Sequence, residues 1–454
     1  MTKSIMNKIF IALLAISTCI ACKQSAQTKS TNLTESDTVA SNTLSDENIA
    51  DAWTYLYGRY LVIQQESIDI NKEKVGYNRI KYTPLGSTTF AIPNLDVANL
   101  EAWIAVDSSH AVILNVPQVK GRYYTVQLLN GWGEVITNIN EHNYPKHPYG
   151  KFALTIIGTN PTIPSDAVRI YLPAAKIKML ANVELKNSPA EAVNLQRRFT
   201  LTVPEGIQID PPLAIPIFTH ANPIGGEIFD KAEAIIASYP DAMLNASQMQ
   251  EIVKKVTTYR KSSLKASKHI DSVVLAKAIP VFLSSTKGFD IPNGGWSVSY
   301  AAGHFGNNVI ARAITNYSDL WANQIKELIY FVGLTDSNND PLNGSNTYEL
   351  KFQSTQLPDS MVNAFWSVTL YNLPDYRVME NSLKRYGRSN VSGMKMNTDG
   401  SLSIVLAPTM PKNVPEVNWL PTPKGKGFAL IFRLYAAKPD VLSGNWFPAP
   451  IEKK

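Results

Sequence analysis

Between positions 94 and 134 the chain gathers Asn94, Asp96, Arg122, Tyr123, Tyr124, Trp132 and Glu134. An Asp and a Glu beside an Arg and aromatic rings are the raw materials of a sugar site. A ring plane stacks on the apolar face of a pyranose, and paired carboxyl groups move the proton that cleaves a glycosidic bond. On that reading Asp96 and Glu134 are the catalytic acid/base candidates and Arg122 stabilises an anion, while Asn94, Tyr124 and Trp132 hold the ligand. The plainer account has Asp96 bonding its own turn, Arg122 balancing it, and the Tyr and Trp rings filling a core. Structural ion pairs imitate sites, so both accounts stand at this point.

A second constellation is Glu141, His142 and His147 in a loop rich in Pro, Asn and Tyr. Two imidazoles and a carboxylate could converge on zinc or copper, but histidines in such a loop usually form plain polar surface, and no metal is expected. Farther along, Asn418-Trp419-Leu420-Pro421 sits between strands, with Asn343-Gly344, Arg385-Tyr386 and Trp446 flanking others. Trp419 is a further ligand-binding candidate. Arg433 falls on the opposite side of its strand from Phe428, Leu430, Phe432 and Leu434, so it need not enter the core. Established catalytic signatures are missing: no Gly-x-Ser-x-Gly, no His-Glu-x-x-His, no phosphate loop, no dinucleotide fingerprint. No cofactor is expected, and the residues leave enzyme and binding protein both open.

The elements that must position these groups come from a chain of 454 residues, 44% apolar and 18% charged, long enough for two or three cores. Its 43 Lys and Arg against 37 Asp and Glu are scattered, without the basic stripe that tracks phosphates, so nucleic acid is not expected as a partner. Residues 1–22 read as a lipoprotein export signal. Lys3 and Lys8 precede the short apolar run Ile9–Ile16, and Ala21 stands before Cys22, the expected site of lipidation. Residues 23–45, rich in Ser and Thr, read as a flexible tether. A membrane is therefore an expected partner through the lipid anchor. Lys23, in place of the Asp that retains such proteins at the inner membrane, favours the outer one. Beyond Cys22 there is no cysteine, hence no disulfide and no thiol nucleophile.

Ser45 is a candidate N-cap, and Ile49, Trp53, Leu56, Tyr57, Tyr60 and Leu61 recur at helical spacing. Short strands follow at 111–116, 123–129, 151–159, 168–172 and 199–203. Residues 46–210 thus form an N-terminal helix plus β module. Pro211-Pro212, Pro216 and Pro223 open a linker and helical segment over 211–335. Within it, Ile310, Ile314, Tyr317, Trp321, Ile325 and Leu328 predict one long helix. Residues 336–454 alternate with period two and form a C-terminal β module, where Asp399-Gly400 has the composition of a hairpin turn. The expected class is α+β, mainly antiparallel β: two β-sandwich-like modules joined by a helical segment.

Several strings resemble known families. Pro93-Asn94-Leu95-Asp96, Ala102-Trp103, Gly121-Arg122-Tyr123-Tyr124 and Leu129-Asn130-Gly131-Trp132 resemble the bacterial domain of unknown function 1254. Pro341-Leu342-Asn343-Gly344, Ala364-Phe365-Trp366-Ser367-Val368-Thr369-Leu370-Tyr371, Asp399-Gly400-Ser401-Leu402, Asn418-Trp419-Leu420-Pro421 and Gly444-Asn445-Trp446 resemble its habitual partner, domain of unknown function 1214. The resemblance implies exported or envelope proteins with two mostly β modules joined by helices. It brings no activity. The chain also departs from the first pattern at Val97 and Asn99, where the family has Thr and then Tyr, so no role resting on that hydroxyl pair carries over. Two functions follow as expectations. One is an envelope lipoprotein that binds a glycan, polymer or protein partner. The other is a hydrolase or lyase acting on a polysaccharide or small envelope metabolite.

Overall fold

The computed structural model describes residues 44–86, 92–286, 291–379 and 381–454. The signal segment, most of the tether and Cys22 lie outside the described residues.

The chain enters through the helix Asp46–Ser67, whose N-cap Ser45 accepts a hydrogen bond from Asn48 N at 3.2 Å, with Asp46 and Glu47 complementing the helix dipole. This helix touches the N-terminal β module along one side, where Val62 packs with Trp103, Leu129 and Val135 and Glu66 pairs with Lys176. It forms the axis of a separate helical core, in which Trp53, Tyr57 and Tyr60 meet Ile228, Phe229, Val253, Ile270 and Phe282 from the segment 226–285. Its buried polar tips are satisfied: Trp53 Nε1 donates to Ile224 O and Tyr60 OH to Ile228 O, each at 2.9 Å. Gly58 lets the helix Val309–Ser318 lie close, since a Cβ there would stand 3.3 Å from Ala313 Cα.

The N-terminal module is a sandwich of two sheets. One runs in the order 81–82, 97–105, 176–184, 124–129, 135–139, and every neighbour in it is antiparallel. The other runs 167–172, 150–156, 112–116, 200–202, with its first pair parallel. Alternate residues of each strand fill the space between them: Leu100 and Ile104, Met179 and Val183, Val126 and Leu128 meet Leu114, Phe152 and Leu172. The C-terminal module repeats the plan. A sheet in the order 291–293, 296–298, 328–333, 428–435, 366–372, 387–389 packs on one in the order 419–421, 402–407, 348–352, 452–453. Trp366 stacks on Phe432 at 5.2 Å within that core.

Three sequence expectations need correction. The long helix through Ile325 and Leu328 ends at Ser318. Residues 328–333 are instead a strand paired antiparallel to 428–435, because their aromatic and β-branched run fits a pleated surface better than a helix. The boundary at 335/336 therefore cuts through the C-terminal sheet, which reaches back to Ile291. Asp399-Gly400 closes a local turn, Asn397 N donating to Ser401 O at 2.8 Å, and the strand after it pairs with the earlier strand 348–352.

Candidate functional site

The outer face of the first N-terminal sheet turns toward the outer face of the larger C-terminal sheet, and both faces are polar. On the N-terminal side the register aligns Asn99, Asn182 and Thr125 in one row and Glu101, Leu180, Gln127 and Asn138 in the next. The C-terminal side presents Tyr330, Arg433, Tyr435, Ser367, Thr369 and Tyr371.

Asn94 and Asp96 join the two modules at one end of this seam. Asn94 Nδ2 donates to Tyr435 OH at 2.8 Å, while Ser367 Oγ and Tyr435 OH donate to Asp96 Oδ2 at 2.5 and 3.1 Å. Arg433 lies 3.9 Å from the same oxygen and donates to Tyr371 OH at 2.9 Å, and Tyr371 OH donates to Pro93 O at 2.6 Å. Arg433 does lie opposite the apolar face of its strand, as the alternation requires, yet it is fully buried because the N-terminal module covers it. At a second point of the seam, Glu327 accepts from Asn140 Nδ2 (2.9 Å), Asn143 Nδ2 (2.7 Å) and Tyr123 OH (3.1 Å), with His142 Nε2 3.5 Å away. Burial pushes the Glu327 carboxyl up, but the bonds from His142, Asn143 and Asn140 prevail and hold it below its ordinary value.

Between these contacts the facing surfaces carry two apolar clusters. One bank is an apolar cluster of Trp103, Leu129 and Trp321, with Leu180 and Leu320 packed against it. The opposite bank is Val97, Phe365 and Tyr435 with Tyr123 and Tyr330. The middle rows lie between, and there Asn99, Glu101, Leu180 and Asn182 are only half-buried, although Leu180 and Asn182 belong to a strand flanked on both sides. Leu320, packed in the same cluster as Leu180, follows Asp319, the residue at which the helix Val309–Ser318 stops. Asp319 is exposed, yet the protein packed around it pushes its carboxyl up to about 6, against a smaller downward pull from Arg433. Asp319 thus combines exposure to water with closely packed protein on its other sides. Asn323 bonds the phenol of Tyr330 beside it. The turn that builds this place is strained, because Trp321 has φ +76°, a conformation unusual for a bulky side chain. Its carbonyl is held by Gln127 Nε2 at 3.0 Å.

The other residues named from the sequence lie elsewhere. Glu134 is buried in the helical core, 3.5 Å from Arg312, which makes the closer pair with Asp241 at 2.8 Å. Burial raises the Glu134 carboxyl, and its charged neighbours are Arg312, Asp241 and His304, not Asp96. The Asp96–Glu134 acid/base pair is thus undone: the two carboxyl groups serve different cores. Arg122 donates to the carbonyls of Glu184 and Leu185 and pairs with Glu191, fixing the helix Pro189–Gln196 instead of an anion. Trp132 is fully sealed, with Nε1 donating to Tyr239 O and the Arg312 guanidinium 4.4 Å above its ring. It cannot stack on a ligand. Tyr124 fills the sandwich core and donates to Pro148 O at 2.6 Å. Trp419, also buried, donates to Ala407 O and edges a surface cleft of about 510 Å³ that includes Lys424 and Lys426. His142 turns to Glu327 while His147 packs edge-on against Phe152, and no group of three metal-ligating residues assembles among the described residues.

Residues 75–203 match the family model described as a protein of unknown function, DUF1254, and residues 327–439 match that described as a protein of unknown function, DUF1214. The chain carries both domains in tandem. Asn94 and Asp96 therefore come from the DUF1254 domain and their partners Ser367, Arg433 and Tyr435 from the DUF1214 domain, while Asp319 belongs to the stretch between the two matches. No curated protein matches the chain. The VPA0106 protein from Vibrio parahaemolyticus has a similar crystal structure, with a TM-score of 0.68 at 16% identity over 90% of this chain and 99% of that one, a likeness of fold alone. An uncharacterised protein from Burkholderia cenocepacia aligns with a TM-score of 0.42 at 12% identity, over 90% of this chain and 92% of that one.

Proposed function

We propose that this DUF1254–DUF1214 protein is an exported envelope protein, anchored by a lipid on Cys22, that binds a small hydroxylated ligand derived from a glycan in the recess between its two domains. The observation that carries this reading is Asp319, a carboxyl that water reaches inside the protein. Asn99, Glu101, Leu180 and Asn182 stay half-buried on a sheet face that the C-terminal module covers at both ends, which supports space between the two faces. Carboxylates, amides and a phenol beside the apolar Leu180 are the mixture that grips sugar hydroxyls and the apolar ring face at once. The recess suits a single sugar unit better than a polymer passing over a surface. The signal-like segment and the Ser/Thr-rich tether support placement at the envelope, on the outer membrane. The hydrolase or lyase alternative no longer has Asp96 and Glu134 as a pair, which leaves binding the stronger reading.

The test is a thermal-shift panel of the mature chain against neutral monosaccharides, amino sugars and uronates, repeated with Asn182→Leu, which fills the recess with a side chain of similar volume. Stabilisation by one class, lost in Asn182→Leu, is the expected result. A panel without any shift removes the recess as a ligand site. In a bacterial expression host, Cys22→Ser in the full-length chain is expected to abolish incorporation of labelled palmitate.

A further inference from the structure

We infer that the exposed face of the helix Leu264–Val273 and its continuation to Leu275 docks on a membrane surface of anionic lipid headgroups, laying the body of the protein against the leaflet that holds its anchor. This rests on the envelope reading above and adds the face that meets the bilayer.

Ser263 creates the surface. Its backbone is extended, with φ −166° and ψ 160°, and its hydroxyl accepts from Ala266 N at 3.1 Å, so one helix ends at Ser262 and the next begins at Leu264. The second helix buries Ile270, Val273 and Val274 in the helical core. The helical repeat then places Leu264, Lys268 and Leu275 in one line on the opposite side, with Lys265 and Ser272 beside it, and all five are exposed. Leu264 is 83% exposed and Leu275 63%. Leucine at both ends of a line about 16 Å long is a cost in water unless something apolar covers it.

The charge says what covers it. Residues 246–285 hold seven Lys or Arg against two Asp or Glu, so the net charge of +6 is concentrated here. Of the two acids, Asp271 is held by Arg260 at 2.5 Å, and Glu251 lies toward the far end of the preceding helix Ala246–Ser262. Lys265 and Lys268 have no ion-pair partner among the described residues. On the preceding helix, Tyr259 packs edge-on against His269 at 6.0 Å, and Lys255 stands one turn before Tyr259, so a further exposed lysine borders the face. Lysine interleaved with leucine suits a lipid interface, where the ammonium groups meet phosphates and the aliphatic chains sink below them. Nucleic acid would match the lysines and leave the leucines in water. The point of attachment agrees. Asp46 lies 3.5 Å from His269 and Glu47 pairs with Lys277, so the first helix starts beside this face with its own acids matched. Only 21 residues separate Cys22 from Leu44, a length that spans about 25 Å as a flexible chain. The face next to Leu44 is thus the part of the body held nearest the bilayer.

The test is co-sedimentation of the mature chain, made as Cys22→Ser so that no acyl group contributes, with vesicles of phosphatidylcholine alone or with about one third phosphatidylglycerol. Binding to the anionic vesicles is expected to be at least ~10-fold tighter at about 0.05 M salt and to weaken at least ~10-fold at about 0.5 M. Lys265→Glu with Lys268→Glu, and separately Leu264→Ser with Leu275→Ser, should each lower that affinity at least ~10-fold with the melting temperature unchanged. Ser272→Glu, which sets a carboxylate in the middle of the face, should do the same and stands in if either pair folds poorly. Lys424→Glu with Lys426→Glu makes the same change of charge on the C-terminal module and should have no effect. Equal binding to both vesicles, no binding, or an equal loss in the Lys424 and Lys426 pair overturns the docking face. A loss with the lysine pair but not the leucine pair assigns the face to some other polyanion and overturns the lipid. Palmitate labelling at Cys22 is read separately: a labelled chain whose Cys22→Ser form ignores vesicles loses only this face, and a chain that docks without label loses only the anchor.

Discussion

Arg312 shows what a buried charge does in this protein when it is not a site. Its guanidinium is sealed, bonds Asp241 at 2.8 and 3.0 Å, and lies over the Trp132 ring, so it pins the helix Val309–Ser318 to the loops carrying residues 130–134 and 240–243. Glu134 takes the poorer share of it, at 3.5 Å, and burial raises that carboxyl above its ordinary value. The two carboxylates should accordingly differ in what their arginine means to them. Arg312→Met leaves Asp241 buried without a cation and is expected to cost about 3–5 kcal/mol in urea unfolding. Glu134→Gln removes only the longer contact to Arg312 and should cost about 1 kcal/mol. Equal losses in the two variants would mean that Glu134 is a full partner in the pair. Asp319 differs from both in pairing with no guanidinium among the described residues and in being open to water.

The loop carrying Asn140, His142 and Asn143 belongs to the first sandwich but fastens on Glu327, at the start of a strand of the second. The hydrogen bond to Glu327 raises the pKa of His142 above 6.5, and Glu327 is held below 4.5 despite its burial. A raised histidine contributes stability below 6.5 that is lost as pH climbs through its folded value. A depressed carboxyl contributes stability above 4.5 that is lost as pH falls through its folded value. The loop should therefore be held most firmly between 4.5 and 6.5. Amide exchange of residues 140–147 is expected to be slowest near pH 5.5 and, corrected for intrinsic rates, faster near pH 8.5. His142→Gln should remove the rise at high pH, and an unchanged profile in that variant would disconnect the loop from the pair. Elements such as this one also mark how far the sequence could be read. Strands with strict alternation, such as 348–352 and 402–407, announce themselves. The strand 97–105 does not, because its inward residues include Ala98 and Ala102, whose small side chains blur the pattern. Neither did 176–184, although Ile177, Met179, Ala181 and Val183 do alternate. The Asp319 turn was hidden for a different reason. The spacing of Leu320, Trp321 and Ile325 continues the helical period, and only packing of Trp321 on Trp103, 5.5 Å away, pulls the chain off that course. Asp96 was legible as a candidate, but its partners lie some 270 to 340 residues further along the chain, beyond any local signal.

At the scale of the whole molecule, the seam decides whether the domains act as one body. Apolar area alone would let the two sandwiches slide, whereas the network around Asp96 has fixed geometry: Ser367 and Tyr435 donate to one oxygen while Arg433 supplies the charge. Removing Asp96 leaves Arg433 fully buried without the one carboxylate it pairs with among the described residues, which costs about 3–5 kcal/mol when the site cannot admit water. Part of that penalty can be escaped if the domains separate and hydrate the arginine. Asp96→Ala is therefore expected to turn a single calorimetric unfolding transition into two, the lower one belonging to the C-terminal sandwich, whose sheet carries the exposed charge. A compensating pair tests the cause. In Asp96→Ala combined with Arg433→Met the charge is gone from both sides, and most of the lost stability should return with a single transition. If the double variant still unfolds in two steps, the domains are coupled through the helical core around Trp53, and the polar seam serves the ligand alone.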